Sequence, residues 1–360
     1  MRFNRIVLIV ALFHLFHYAV AQSSQAPSKT GSTTYTSHTG MEFNPKRLKL
    51  KNAGIHFKPF NKKTVLPLKE AIQNKMIKAT GDVFILEIDH HRIAFPLKPM
   101  AYHHIVQGKL KEVSYIFSFC AICNSGMFMS PILKGDTLNF KLGGIYNGVL
   151  VLQDKETASY WDHITGECLY GHYQGERLEI IGSNKLLLAS QALENYPDLA
   201  IVFPKQNLFQ KILNGVNTNN LGRRNNKGHL PLGFRGSMTT TDTRISEMDM
   251  GLGIWSNTIA KYYSIETIRN NNNAIIDSFD NKTLIVYIDP LSSAPSALFI
   301  TSKNFQWKEN SILLDNGQYI KNGQLFDTND VEIPSQQPHY IFARWYGFSA
   351  YFPNCLVFDN

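Results

Sequence analysis

The chain has 360 residues, with 36 Lys and Arg against 28 Asp and Glu, giving a formal charge of +8. That length allows one large domain or two lobes. The positive charge is not gathered into a dense Lys/Arg run with interleaved aromatics. Arg223-Arg224 and Lys62-Lys63 are isolated pairs. A solvated basic surface is expected, and no nucleic-acid interface.

The chain starts Met1-Arg2-Phe3-Asn4-Arg5, continues with an apolar run over 6–20, and reaches a small-x-small site at Ala19-Val20-Ala21. This is the pattern of a secretory signal peptide over 1–21. The run is short for a bilayer span, which needs about 20 apolar residues. The expectation is a periplasmic or extracellular protein with no stable membrane span after cleavage. Residues 22–50, rich in Ser, Thr and Gly, read as a flexible leader.

Strand signals dominate the remainder of the chain. Segments 83–88 and 92–97 flank Asp89-His90-His91 as a hairpin. Segment 113–119 reads as a buried strand. Segments 126–133 and 137–142 flank Lys134-Gly135-Asp136 as a second hairpin. Segments 148–152 and 178–181 are further short strands. Helix signals are confined to 99–106 and 189–195. The expected class is mainly β with a few short helices, α+β in type.

Three landmarks recur in order. Segment 84–97 shares its apolar hairpin shape with 252–265, segment 114–125 is answered by 283–294, and 196–203 by 352–358. Two related β-rich lobes from an internal duplication are expected, over 55–205 and 235–360, with a connector over 206–234. Asp289 and Ser292 stand where Cys120 and Cys123 stand, so the second lobe is degenerate and lacks the thiol pair.

Cys120-Ala121-Ile122-Cys123 carries the chemistry. The spacing lets two sulfurs reach one metal ion or close one small ring. It admits a Cu(I) or Zn(II) site, a dithiol–disulfide couple, or a disulfide that only braces a turn. Cys168 and Cys355 read as unrelated buried thiols. No P-loop, GxSxG or HExxH occurs.

The hairpin ending Ala94-Phe95-Pro96-Leu97, His103, then Phe119-Cys120-Ala121-Ile122-Cys123-Asn124-Ser125, Tyr146-Asn147, Asp154, Thr157, Trp161 and Thr165-Gly166 form an ordered set. The set resembles the exported family called domain of unknown function 3179, whose signature is Tyr-Cys-Pro-Leu-Cys. The chain departs from it with Phe119 for Tyr, Ala121 for Pro, His104 for Glu and His163 for Gln. The resemblance implies fold, export and site location, and no reaction. It places His103 near the cysteines as third metal ligand or proton acceptor. His163, Met127 or Met129 would supply a fourth ligand. Tyr146 and Asn147 would line a cleft rim, and Trp161 would stack on a ligand or anchor packing. His104 is expected at the surface, because adjacent helical residues do not share a face.

The expected function is an exported metal-binding module, copper before zinc, or a thiol-redox module, centred on Cys120, Cys123 and His103. The alternative is a non-catalytic scaffold for an envelope protein or small ligand, with a structural cysteine pair.

Overall fold

Alternation along the Val113–Cys120 strand divides two cores. The computed structural model describes residues 34–51, 57–60, 63–205, 230–334 and 336–359. Every residue from Ser114 to Cys120 is buried. Successive side chains of a strand point to opposite faces. Ile116 and Cys120 enter a core that also holds Met127, Leu150 and Trp161, while Tyr115, Phe117 and Phe119 enter an aromatic cluster with Phe84, Phe95 and Phe128. Phe117 stacks on Phe128 at 4.2 Å. Burying such a ring stabilises the fold by about 1.5–3 kcal/mol, which fixes the register of the strand that ends in Cys120.

This strand is the centre of an antiparallel three-stranded sheet, between Ile105–Leu110 and Ser125–Met129. A five-stranded sheet runs in the order Ser183–Leu188, Asp82–Ile88, His91–Pro96, Ala200–Pro204, Lys63–Pro67. Its first hairpin is the expected one, with a two-residue turn at Asp89 and His90. Both turn residues have positive φ, 46° and 63°, as a type I′ turn requires. A four-stranded sheet comes next, from Phe140–Tyr146 through Val149–Asp154 and Tyr160–Asp162 to Cys168–Tyr170. The short helices of this half are Leu68–Gln73, Leu97–His103 and Ala189–Asn195.

The second expected hairpin is only partly formed. Lys134-Gly135 is a turn, but its arms are the two-residue strands Ile132–Leu133 and Asp136–Thr137. The longer apolar runs pair elsewhere. Ser125–Met129 returns to Val113–Cys120, and Phe140–Tyr146 pairs with Val149–Asp154. Segment 178–181 forms no strand, only an isolated antiparallel bridge from Ile180 to Met129, and the strand that follows is Ser183–Leu188, on Asp82–Ile88.

From Met250 the same order of elements returns. A hairpin, the helix Ile265–Asn270, a three-stranded sheet, a five-stranded meander, the strand His339–Arg344, the helix Trp345–Tyr351 and the strand Leu356–Val357 succeed one another. The outer sheet runs His339–Arg344, Met250–Trp255, Ala260–Ser264, Leu356–Val357. In each half the last strand is parallel to the second arm of the first hairpin.

The expected leader is corrected from residue 34 onward. Tyr35–Thr36 and Glu42–Phe43 form a small hairpin, and Met41, Phe43 and Leu48 are buried in the main core. These side chains fasten it together with the Arg47 bonds to Tyr146 and Asn147 and the Tyr35 and His38 bonds to Glu167. The expected signal peptide and residues 206–229 of the expected connector lie outside the described residues. No helix among the described residues is long and apolar enough to cross a membrane.

Candidate functional site: a buried disulfide and a neutral histidine

Cys120 ends its strand and pairs with Ser125 across the four-residue loop 121–124. Asn124, at φ 53°, takes the left-handed conformation that closes the loop. The turn brings the sulfurs together, and Cys120 and Cys123 form a disulfide. Both are buried, with 2% and 1% exposure. Cys168 and Cys355 are free, buried thiols. Burial pushes Cys168 up to about 12 and Cys355 up to about 11.

Strand geometry places two serines beside the disulfide. Ser118 shares the Cys120 face, two residues earlier, and Ser125 lies directly opposite Cys120. His163 sits between the two hydroxyls. Its Nδ1 is 2.7 Å from Ser118 Oγ and its Nε2 is 2.9 Å from Ser125 Oγ. Ser125 Oγ is in turn 3.1 Å from Cys123 Sγ. Ser118, Ser125 and His163 are fully buried. Burial drives the His163 pKa down to about 3, so the ring is neutral at neutral pH.

These contacts fix the direction of every hydrogen bond. A disulfide sulfur carries no hydrogen, so Ser125 must donate to Cys123 Sγ. That uses its single proton, so His163 Nε2–H must donate to Ser125 Oγ. A neutral imidazole has one N–H, so Nδ1 accepts from Ser118. The chain runs Ser118 to His163 to Ser125 to Cys123.

A tight turn holds His163 in place. Asp162 accepts the main-chain N–H groups of Ile164 at 2.7 Å and Thr165 at 3.1 Å. Burial raises the Asp162 pKa to about 6 against the lowering effect of these bonds. Gly166 completes the turn at φ 75°, where a Cβ would lie 2.9 Å from the Leu178 carbonyl oxygen.

The second half closes the site. Buried Arg344 donates from Nε to the Ile122 carbonyl at 3.0 Å and from Nη1 to the Met248 carbonyl at 2.7 Å. Its main-chain N–H donates to the Cys123 carbonyl at 3.0 Å. Gly347 lies beside Cys123, whose Cβ would be 3.2 Å from an added side chain there. In the second half the loop after Ile288 is closed by hydrogen bonds. Asp289 Oδ1 accepts from Leu291 N and Ser292 N, both at 2.8 Å, and Gln191 Nε2 donates to the Leu291 carbonyl.

The other expected site residues are distributed differently. His103 Nδ1 bonds the Lys58 carbonyl at 2.6 Å, and its ring packs edge-on against Phe60 at 4.7 Å. The imidazole linked to the sulfurs is that of His163. His104 is not a surface residue of the helix. It caps the helix at φ 61°, which turns its ring back so that Nδ1 reaches the Phe119 carbonyl at 3.0 Å. Tyr146 and Asn147 form no cleft rim, since both are buried. Tyr146 Oη accepts from Arg47 at 2.6 Å and from Asn44 N at 2.9 Å, and Asn147 Oδ1 accepts from Arg47 at 2.9 Å. They anchor the N-terminal segment. Trp161 is a packing anchor, with Nε1 donating to buried Asp154 at 2.8 Å. Met127 and Met129 are buried in the main core. Among the described residues, no group of three or more His, Cys, Asp or Glu side chains is gathered to hold a metal ion.

Ser118, Ser125 and Arg344 were not singled out from sequence. Ser118 had a signal, because a residue two before Cys120 on a strand shares its face. Arg344 had none, standing 222 residues from Ile122.

No curated protein and no solved structure matches the chain. The model of one family, described as protein of unknown function (DUF3179), matches residues 67–354. That match spans the strand that bears the disulfide, the histidine turn and the arginine that closes the loop, and the chain belongs to the DUF3179 family.

Proposed function

We propose that this is an exported thiol–disulfide redox protein whose centre is the Cys120–Cys123 disulfide. The observation that carries the reading is the buried chain ending on Cys123 Sγ at 3.1 Å. A hydroxyl donor on one sulfur stabilises that sulfur as it becomes a thiolate, which makes it the better leaving group. A thiolate of an external dithiol attacks Cys120 Sγ, and the disulfide breaks with its electron pair on Cys123. The second thiol of the dithiol then attacks the external sulfur of the mixed disulfide and releases Cys120. The dithiol loses two electrons to become a disulfide, and both cysteines end as thiols. Opening the Arg344 contacts would admit the reductant.

Export is supported by the signal-like start of the chain and by the disulfide, which persists in oxidising compartments. The reduced pair would offer two thiolates to copper or zinc. The redox reading is preferred because the nearby imidazole, His163, is already committed to two serines. Internal duplication accounts for the repeated order of elements and for the paired loops at Cys120 and Asp289.

Burial of both sulfurs favours a second reading, a permanent brace in a binding scaffold. Titration with glutathione or a dithiol of known potential separates them. A centre that reduces and reoxidises reversibly supports the redox reading. A disulfide that yields only after unfolding supports the brace.

A further inference from the structure

A carboxylate–imidazole arrangement begins just beyond the turn that carries His163, at Glu167. His38 sits at the tip of the N-terminal hairpin, in a turn closed by Gly40 N donating to the Ser37 carbonyl at 2.9 Å. Its Nδ1 bonds Glu167, whose side chain is 2% exposed. Tyr35 Oη donates to the same carboxylate at 2.6 Å, and the His38 main-chain N–H reaches both of its oxygens at 3.2 and 3.1 Å. Glu167 therefore fixes both the ring orientation and the tautomer. With Nδ1–H committed to the carboxylate, the lone pair is on Nε2.

The ring remains 23% exposed and lines a cavity of about 490 Å³. That size falls within the range of small-molecule sites, about 300–1,000 Å³. Thr39 and Asn354 supply polar groups there, while Ile259, Ala260 and Leu356 supply an apolar wall. Among the described residues, no Lys, Arg, Asp or Glu lines the cavity. Arg177 and Arg244 reach only the backs of lining residues, bonding Asn257 at 3.3 Å and the Cys355 carbonyl at 3.0 Å. The lining offers an imidazole acceptor, the hydroxyls of Thr39, Ser256 and Thr258 and the amides of Asn257 and Asn354, together with an apolar surface. Those features complement a ring with hydroxyls on its edge and C–H groups on its face.

We propose that this cavity binds an uncharged, polyhydroxylated ligand of the sugar type, with His38 Nε2 accepting from a ligand hydroxyl. The proposal does not rest on the redox reading, although the Glu167 carbonyl accepts from Asp162 N at 2.7 Å in the turn that carries His163.

The test is a titration of the full mature chain with maltose, cellobiose and N,N′-diacetylchitobiose at millimolar concentrations, monitored by NMR of the histidine ring signals. At least one disaccharide should shift the His38 Nε2 signal saturably. His38→Gln and Asn354→Ala should each weaken that binding at least tenfold. Asn354→Ala removes none of the hydrogen bonds among Tyr35, His38 and Glu167, and an unchanged Tm in each variant guards against a folding artefact. If none of the three sugars moves the His38 signal, the proposal is overturned. It is equally overturned if Zn(II) or inorganic phosphate moves it and the sugars do not, because the site would then be a metal or anion site.

Discussion

The Ser125 hydroxyl, 3.1 Å from Cys123 Sγ, determines which nitrogen of His163 carries the proton. A covalent state of sulfur is thereby coupled to a tautomer on a side chain it does not touch. The oxidised protein is expected to hold His163 as the Nε2–H form. Nitrogen-15 NMR of the ring distinguishes the tautomers directly, and an Nδ1–H ring in the oxidised protein would refute the assigned direction.

Removing the donor should alter one sulfur. In Ser125→Ala the Cys123 thiol of the reduced protein should rise in pKa by about one unit, with the potential falling by about 30 mV. The readout is alkylation rate against pH, resolved by peptide mass. Equal effects on Cys120 and Cys123 would remove the asymmetry on which the leaving-group assignment depends.

Acid should weaken the fold through His163. Burial holds its folded-state pKa near about 3, below the ordinary 6.5. The unfolded chain therefore binds more protons between these values, and stability rises with pH across that window and falls as pH drops through it. Half-buried His104, lowered to about 4 by desolvation, acts in the same sense. Thermal unfolding of the wild type should show a Tm that falls from pH 7 to pH 4, less steeply in His163→Gln. His163→Phe leaves the buried Ser118 hydroxyl without its acceptor and Ser125 Oγ without its incoming donor, and should cost about 1–3 kcal/mol. An unchanged pH slope in His163→Gln would contradict the assignment.

On the redox reading, Arg344 should control access. Arg344→Ala leaves the part-buried Ile122 carbonyl and the buried Met248 carbonyl without these donors, at up to about 1–3 kcal/mol each, and should speed reduction by a small dithiol at least severalfold. Stability is read by denaturant titration and reduction by thiol release. Loss of stability with no gain in reduction rate would mean that the arginine does not gate the sulfurs.

The pairing sets the thiol count. With one disulfide and two buried free cysteines, the oxidised protein should show no reactive thiol when native and two when unfolded without reductant. Four after unfolding without reductant would exclude the disulfide.

Local pattern carried much of the fold. The apolar run before Cys120, the helix at Ala189–Asn195 and the turns at Asp89 and Lys134 were legible, because short-range sterics and alternation decide them. His163 was legible only through its place in a family motif. His103 ends its helix with Nδ1 on the Lys58 carbonyl, and the left-handed backbone of His104 sends the neighbouring ring toward the Phe119 carbonyl, which no local pattern announces. The packed segment from residue 34 was missed because only Met41, Phe43 and Leu48 interrupt its polar run. Nothing near Ile122 announces an arginine from the far half. Contacts of that range are set by tertiary packing, which no local period encodes.

The most direct measurement is an equilibrium redox titration of native protein, with the Cys120–Cys123 pair tracked by mass after alkylation. The redox reading predicts reversible two-electron behaviour between about −270 and −120 mV, the span of exchange-active dithiols. A pair that stays oxidised below about −300 mV in folded protein would leave the disulfide as a brace and the serine–histidine chain as packing.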